Sequence, residues 1–104
     1  MHTGRMRYRI TIEENAERQD ADGNVLQDWQ PKHTVWADIV PVSGREYIAA
    51  EREASEVTTK IYIRYLPDIT AKMRVVHGDT VYEILEVLGD ARSGMLTILG
   101  KTIY

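Results

Sequence analysis

The chain has 104 residues, a formal net charge of −3, 43% hydrophobic and 28% charged residues, and no cysteine, which is typical of one globular domain. Without cysteine there are no disulfides, thiolate nucleophiles or cysteine-based metal sites, and the acidic balance argues against a surface built wholly for nucleic acid or an anionic membrane. No apolar run approaches the roughly 20 residues of a membrane span, and the start lacks the apolar stretch of a signal peptide, so we expect a cytoplasmic protein without membrane contact.

Every aromatic side chain carries a polar group, because the chain has six tyrosines, two tryptophans and no phenylalanine. Such rings suit half-buried positions. They fit the edge of a small sheet and a protein interface equally well, and both interpretations remain open at this point.

Alternation of apolar and polar residues over 5–12 predicts a first strand. Its apolar face holds Ile10 and its neighbours in the pattern, and its other face is basic, with Arg5, Arg7 and Arg9. Those arginines suit nucleic acid phosphates or an acidic protein surface, although a merely solvated face fits nearly as well.

A turn and two further strands follow in the first half of the chain. The Asp/Gly/Asn cluster at 20–24 predicts a turn into a return strand at 25–29, which Pro31 ends. Residues 34–40 are β-branched and aromatic, which predicts another strand, and Pro41 ends it.

The periodicity then changes to that of a short helix over 44–54. Ser43 and Glu46 have the S-x-x-E spacing of a capping box, in which both side chains satisfy orphan amides at a helix start. Glu51 and Arg52 help to make most of this helix polar, which favours a position on the rim of the domain or against a partner over one in the core.

The second half predicts strands at 57–65, 73–77, 80–88 and 95–103, with a tight Gly-Asp hairpin between the second and third of them and a bulge or bend at Gly100. Six or seven short strands joined by turns, with one helical excursion, predict a mainly β fold, a small antiparallel β-barrel or sandwich. We expect one domain over residues 1–104, with an inserted loop and helix at about 43–56.

No spacing in the chain predicts catalysis, a cofactor or a metal. Residues 89–94 have glycines at phosphate-loop spacing but lack the Lys-Ser/Thr pair, and the cluster at 20–24 lacks the glutamate of a calcium loop. The histidines His2, His33 and His77 are isolated in sequence. An enzyme site assembled in space from His33 or His77 with carboxylates is the weakest alternative, so we expect no enzyme.

The motifs occur in an order that resembles a known family. They are, in sequence, G-R-M-R-Y-R-I, D-G-N before a tryptophan strand, T-V-W-A, P-V-S-G-R-E, I-Y-I-R-Y and R-V-V-H-G-D-T-V-Y-E-I. From Gly4 to about Leu99, the chain resembles the head-tail joining, or head-completion, proteins of tailed bacteriophages and prophages.

The resemblance implies a small β-barrel with an inserted helical loop and a non-enzymatic, structural role in the virion neck. Copies would form a dodecameric ring between the portal or adaptor proteins and the tail proteins. That ring would close the DNA-filled head, join it to the tail and let phage DNA pass without sequence-specific binding. The protein would occur in the virion neck and, during assembly, in the host bacterial cytoplasm.

The resemblance also suggests contact residues. In the inserted segment, the candidates for subunit contacts or the channel border are Ser43, Arg45, Glu46, Tyr47, Ile48, Glu51 and Arg52. Arg5, Arg7 and Arg9 would contact an adjacent ring, and the tyrosines would lie in subunit interfaces.

The second hypothesis is a small β-barrel that binds single-stranded nucleic acid through the three arginines of the first strand. The aromatic residues that interleave with cations in such binders are missing from that face, because Tyr8 points to the opposite side. This weakens the nucleic-acid hypothesis without removing it.

Overall fold

Antiparallel pairing closes most of the chain into a six-stranded β-barrel. The computed structural model describes residues 6–50 and 53–103, and for 43–50 and 53–55 it describes only the backbone. The strands in this part of the chain are β1 (Tyr8–Asn15), β2 (Arg18–Gln19), β3 (Val25–Leu26), β4 (Trp29–Ala50), β5 (Glu53–Arg64), β6 (Arg74–His77), β7 (Thr80–Asp90) and β8 (Met95–Thr102). The barrel order is β1-β4-β5-β8-β7-β6, and β2 and β3 form a separate two-stranded sheet. The predicted mainly β barrel is confirmed.

The barrel is filled by every second residue of its strands, as the alternation in the sequence predicts. In β5, Val57, Thr59, Ile61 and Ile63 are buried while the residues between them are more exposed. The main core consists of Ile10, Ile12, Ala37, Ile61, Ile63, Ile69, Met73, Val75, Tyr82, Ile84, Leu96 and Ile98. Branched side chains dominate this core because they pack well on a pleated surface.

The barrel closes where β1 pairs with β6, through Thr11 with Val76, Ile12 with Val75 and Glu13 with Arg74. The last pair is also an ion pair, since Arg74 Nε donates to Glu13 Oε1 at 2.7 Å. The Arg74 guanidinium in addition lies 4.3 Å from the centre of the Trp29 ring, a cation–π contact. A side-chain cluster therefore reinforces a short closing ladder.

Both prolines that were expected to end strands lie inside β4. The register of β1 against β4 shifts between Ile12 and Glu13, where Glu13 faces Pro31, and that of β4 against β5 shifts between Pro41 and Glu46. A bulge interrupts the ladder hydrogen bonds, so a residue without an N–H is tolerated there. The predicted strand ends at Pro31 and Pro41 are therefore wrong.

The predicted helix over 44–54 is also wrong for the residues that the structure describes. Beyond the bulge, β4 and β5 pair from Glu46 with Val57 to Ala50 with Glu53. A capping box indicates only the first turn of a helix, and this mostly polar segment offers little apolar surface with which a helix could pack. Pairing with β5 instead continues the ladder that the barrel has already formed. We call residues 42–58 the arm. The molecule measures 50 × 28 × 28 Å, and no helix in the described ranges is long and apolar enough to cross a membrane.

The predicted Gly-Asp hairpin is present, whereas the bulge predicted at Gly100 lies on the facing strand, β7. His77 pairs with Thr80 across a two-residue turn, in which Gly78 has φ of 59°. The register between β7 and β8 shifts between Ile84 and Glu86, opposite Gly100. The extra residue thus belongs to β7, on the strand that faces Gly100.

Two glycines flank the turn from β7 to β8, and their surroundings differ. Gly89 has φ of 119°, and a Cβ there would overlap the Met95 carbonyl oxygen. Gly94 has φ of 76°, and a Cβ there would meet nothing within 4 Å. Both positions favour glycine, but only at Gly89 does a neighbouring backbone also leave no space for a side chain.

We expect Gly89→Ala to lower the free energy of unfolding by at least about 3 kcal/mol, because backbone strain adds to the steric overlap. Gly94→Ala is the matched control and should cost about 1 kcal/mol, since only the left-handed conformation opposes it. Urea unfolding followed by circular dichroism measures both values. Equal losses in the two variants would contradict the close packing of β7 on β8 at Gly89.

Candidate interaction surfaces

The arm carries most of the contact residues suggested by the sequence. Ser43, Arg45, Glu46, Tyr47 and Ile48 all lie on the β4 side of the arm, where the structure describes only the backbone. Glu51 and Arg52, two further candidates, lie outside the described residues. Strand pairing brings the first five onto one strand, and their contact roles stay predictions.

A small apolar cluster separate from the main core holds the base of the arm. Val57 of β5 packs with Leu85 and Leu99, and the partly buried Val42 packs against them. Leu85 is the extra residue of the β7 bulge, so the bulge supplies part of this cluster. The arm is therefore anchored to β7 and β8 as well as to its own partner strand.

Hydrogen bonds from Thr58 add to this anchor. The Thr102 backbone amide donates to Thr58 Oγ1 at 2.9 Å, and the two threonine hydroxyls are 3.1 Å apart. Thr58 faces the β4 bulge, where the direct pairing between β4 and β5 is interrupted. A side chain thus joins the arm to the end of β8 where the backbone ladder is weakest.

The outer face of β1, β4 and β5 presents arginines beside an exposed tryptophan. Arg7 and Arg9 are exposed, as the alternation of β1 predicts, whereas Arg5 lies outside the described residues. Arg9 pairs across the ladder with Trp36, and its guanidinium lies 5.1 Å from the ring centre. Trp36 is 51% exposed. Arg64 of β5 is exposed as well, and we call Arg7, Arg9, Trp36 and Arg64 the basic wall.

The alternation within β1 did not indicate Trp36 as a partner of Arg9, because a pattern in one strand carries no information about the strand that pairs with it. The ring comes from the neighbouring strand, 27 positions along the chain, through the Arg9–Trp36 pair. The alternation within 34–40 does place Trp36 and Asp38 on one face. Only the register between β1 and β4 brings that face to the arginines.

The outer face of β7 carries the opposite charge. Glu83, Glu86 and Asp90 are exposed on it, together with Leu88, which is 46% exposed. We call these four residues the acidic wall. On the next strand, Lys101 pairs with Glu83 across the ladder, so the negative charge is strongest at Glu86 and Asp90.

His33 contacts a carboxylate, which tests the weakest of the sequence hypotheses. His33 Nε2 lies 3.0 Å from both Asp68 carboxylate oxygens, and Lys32 Nζ lies 2.9 Å from Glu14 and 3.6 Å from Asp68. His77 instead packs edge-on against Tyr8, with ring centres 5.4 Å apart. Among the described side chains, neither histidine hydrogen-bonds to a serine hydroxyl.

These charged groups tie β1, β4 and the β5–β6 connection together at a half-exposed site. The hydrogen bond with His33 is the largest cause that holds the pKa of Asp68 below its ordinary value, although partial burial opposes it. The hydrogen bond to Glu14 raises the pKa of Lys32. In the described ranges, no group of three or more histidine, aspartate or glutamate side chains could hold a metal ion.

The cluster at 20–24, which resembles the start of a calcium loop, forms a turn whose own backbone amides donate hydrogen bonds to the Asp20 carboxylate. The backbone amides of Asp22 and Asn24 both donate to Asp20 Oδ1 at 2.9 Å, and the bond from Asn24 is the largest cause that lowers the pKa of Asp20. The carboxylate therefore caps the β2–β3 turn. Val25 and Leu26 of that hairpin are exposed.

The closed barrel with its long two-stranded arm places the chain in the class of small antiparallel β-barrel proteins. Comparison with known proteins narrows this class. A family model described as "Phage head completion protein" matches residues 1–102. The chain belongs to the phage head completion protein family.

Three relatives support this assignment over nearly the whole chain. Head completion protein gp7 of Enterobacteria phage HK97 is 28% identical, and the alignment covers 98% of this chain and 96% of that protein. Protein SF1141 from Shigella flexneri 2a has a solution structure that is similar with a TM-score of 0.75, 36% identity and coverage of 97% and 96%. A chain from the virion of a native gene transfer agent particle has a TM-score of 0.63, 25% identity and coverage of 88% and 89%.

The charged group around Asp68 generates a prediction about pH. A lowered pKa in the folded state means that Asp68 contributes stability above about pH 4, its unfolded-state value, and loses it as the pH falls through the folded value. Asp68→Asn should therefore be less stable than the parent protein near pH 6, with a difference that shrinks towards pH 2. Urea unfolding across this range measures it.

Asp22→Asn is the matched control, because the Asp22 carboxylate makes no hydrogen bond to another described residue. Its stability should follow that of the parent at every pH. A difference for Asp68→Asn that stays constant down to pH 2 would show that the bond between His33 and the Asp68 carboxylate contributes nothing.

Proposed function

We propose that this protein works as a ring of identical subunits in the virion neck, between the portal or adaptor proteins and the tail. The ring closes the DNA-filled head and joins it to the tail. The observation that carries this proposal is the family match over residues 1–102, because it includes the barrel and the arm together. The similarity to a chain of a gene transfer agent virion supports a structural role in a particle.

The arm suits a contact that extends beyond one subunit. From Thr59, the last barrel pair before the arm, to Glu53, the β5 strand spans six residue steps, which is roughly 20 Å at the usual rise of an antiparallel strand. This length agrees with the excess of the long axis, 50 Å, over the other two, 28 Å. An arm of this reach, anchored by its apolar base, supports contact with a neighbouring subunit or the channel border.

Two sets of residues receive roles under this proposal. Ser43, Arg45, Glu46, Tyr47, Ile48, Glu51 and Arg52 of the arm contact neighbours or border the channel. Arg5, Arg7 and Arg9 act in contacts with other subunits or an adjacent ring. We propose no catalytic role, and DNA passes the ring without sequence-specific binding, for which the net charge of −3 is suited. Assembly takes place in the host bacterial cytoplasm.

A second function is favoured by the Arg9–Trp36 pair. An exposed ring beside arginines is a platform on which a nucleic acid base stacks while the cations hold phosphates. That arrangement keeps the single-stranded nucleic-acid module as the alternative. It predicts binding to oligonucleotides that weakens steeply with salt.

Recruitment to particles separates the two functions. Tailless heads that carry portal and adaptor proteins but lack this protein are mixed with the purified chain, and bound protein is counted after sedimentation. We expect several copies to bind each head as a ring. The particles should then retain DNA and accept tails. Free protein in the presence of such heads, combined with salt-sensitive oligonucleotide binding, would replace the proposed function by the alternative.

We expect a variant in which Asn-Gly replaces residues 43–56 to fold but to fail in the neck. The barrel ladder up to Pro41 and Thr59 stays intact, so near-native circular dichroism is expected, with some loss of stability at the arm base. Heads exposed to this variant should lose DNA to an added nuclease, whereas heads with the parent protein should protect it. Full protection by the armless variant would contradict the role of the arm in closure.

A further inference from the structure

We infer that the basic wall of one copy docks on the acidic wall of the next, so that two opposite sides of each barrel form the contact between copies of this chain. The inference rests on the proposed ring. A heterologous contact, in which each subunit uses two different surfaces, closes into a ring when the rotation between neighbours allows it. It assigns that contact to particular residues.

The two walls lie on opposite sides of the barrel. In the closed order β1-β4-β5-β8-β7-β6, strand β4 is three positions from β7 in either direction. The basic wall is centred on β4, with Trp36, and the acidic wall lies on β7. Opposite placement is the arrangement that lets each subunit bind one neighbour on each side.

The walls also lie at similar heights along the barrel. Following the residue pairs from Trp36 across β5 and β8 leads to Asp90, at the end of β7. Following them in the other direction, across β1 and β6, leads to the Gly78–Asp79 turn, just before β7. Because strands in a barrel are staggered, the level of Trp36 on β7 falls midway between these two ends. That midpoint is flanked by Glu83 and Glu86.

The chemistry of the walls is complementary. Arg7, Arg9 and Arg64 face Glu83, Glu86 and Asp90 in the docked pair. Within the described ranges, none of the three arginines and neither glutamate makes an ion pair of its own, so their charges are available to a partner. Trp36 and Leu88, 51% and 46% exposed, would each be covered by the facing wall, with Trp36 at the level of Glu83 and Glu86. A buried aromatic with charged residues around it is a common design of protein interfaces.

An acidic protein or a nucleic acid would also be attracted to the arginines, but neither would account for the exposed Leu88 among carboxylates on β7. A second copy of this chain accounts for both walls at once. Charge complementarity between them also opposes pairing of like walls.

Cross-linking tests the contact directly, because the chain has no native cysteine. Thr34 is exposed on β4 beside the basic wall, and Leu88 lies in the acidic wall, so the cysteines are introduced as Thr34→Cys and Leu88→Cys. With a short bismaleimide linker, a chain that carries both changes should give a ladder of trimers and larger species, at high concentration in solution or on heads. Each single change should give none. The control pair Ala21→Cys and Lys72→Cys, on other exposed sites, should give no ladder.

Charge reversal provides the second test. Arg9→Glu with Arg64→Glu, and separately Glu83→Lys with Glu86→Lys, should each weaken self-association by about tenfold or more. Mixing the two variants should restore self-association. One variant then has two acidic walls and the other two basic walls, so the two kinds of subunit can alternate with opposite charges at every contact. Lys72→Glu with Arg18→Glu, exposed on the β5–β6 connection and on β2, is the control of equal charge change and should assemble normally.

The outcomes separate this inference from the proposed function. Normal recruitment of the charge-reversed variants to heads, or no ladder from the paired cysteines in solution and on heads, overturns the inference and leaves the neck role intact. A ladder in solution from a protein that heads do not recruit supports the inference and overturns the neck role. Oligothymidylate binding that is lost with Arg9→Glu and Arg64→Glu, without any ladder, assigns the basic wall to nucleic acid.

Discussion

The β1–β6 ladder closes the barrel with three residue pairs, and the rest of the molecule depends on that closure. A closed sheet has an inside and an outside, so each strand must send alternate residues into the core. Ile12 and Val75 meet inside at the closing ladder, while Glu13 and Arg74 pair outside it. Trp29 covers the Arg74 guanidinium on the outer side. Without the closing ladder, β1 and β6 would be open edges and neither charged wall would have a fixed place.

Closure also explains why the arm is a separate element with its own anchor. The barrel needs β4 only up to Pro41 and β5 only from Thr59 onward, and the two strands continue together beyond it. A two-stranded ribbon is marginally stable by itself. The cluster of Val57, Leu85 and Leu99, together with the Thr58 hydroxyl, therefore holds the ribbon at its base. This anchor fixes the direction of the ribbon relative to the barrel.

Much of the barrel could be predicted from alternation, because the period of two depends only on which residues avoid water. β5, the β6–β7 hairpin and the basic face of β1 are examples. The errors share one cause: Pro31, Pro41 and the Ser43–Glu46 pair are local signals, and each was interpreted without its partner strand. Bulges absorb both prolines. Pairing with β5 then continues the barrel ladder through residues 46–50, which a pattern of neighbouring positions does not contain.

The surfaces follow the same division. By itself, the sequence determined that Arg7 and Arg9 share one face, that the core is branched and aliphatic, and that no catalytic spacing is present, because these are properties of neighbouring positions. Its motif order also resembled the family to which the chain belongs. Only the tertiary structure decided that Trp36 lies beside Arg9 and that the acidic face of β7 lies opposite both. Those relations depend on strand register and barrel closure, which arise from pairing between distant segments.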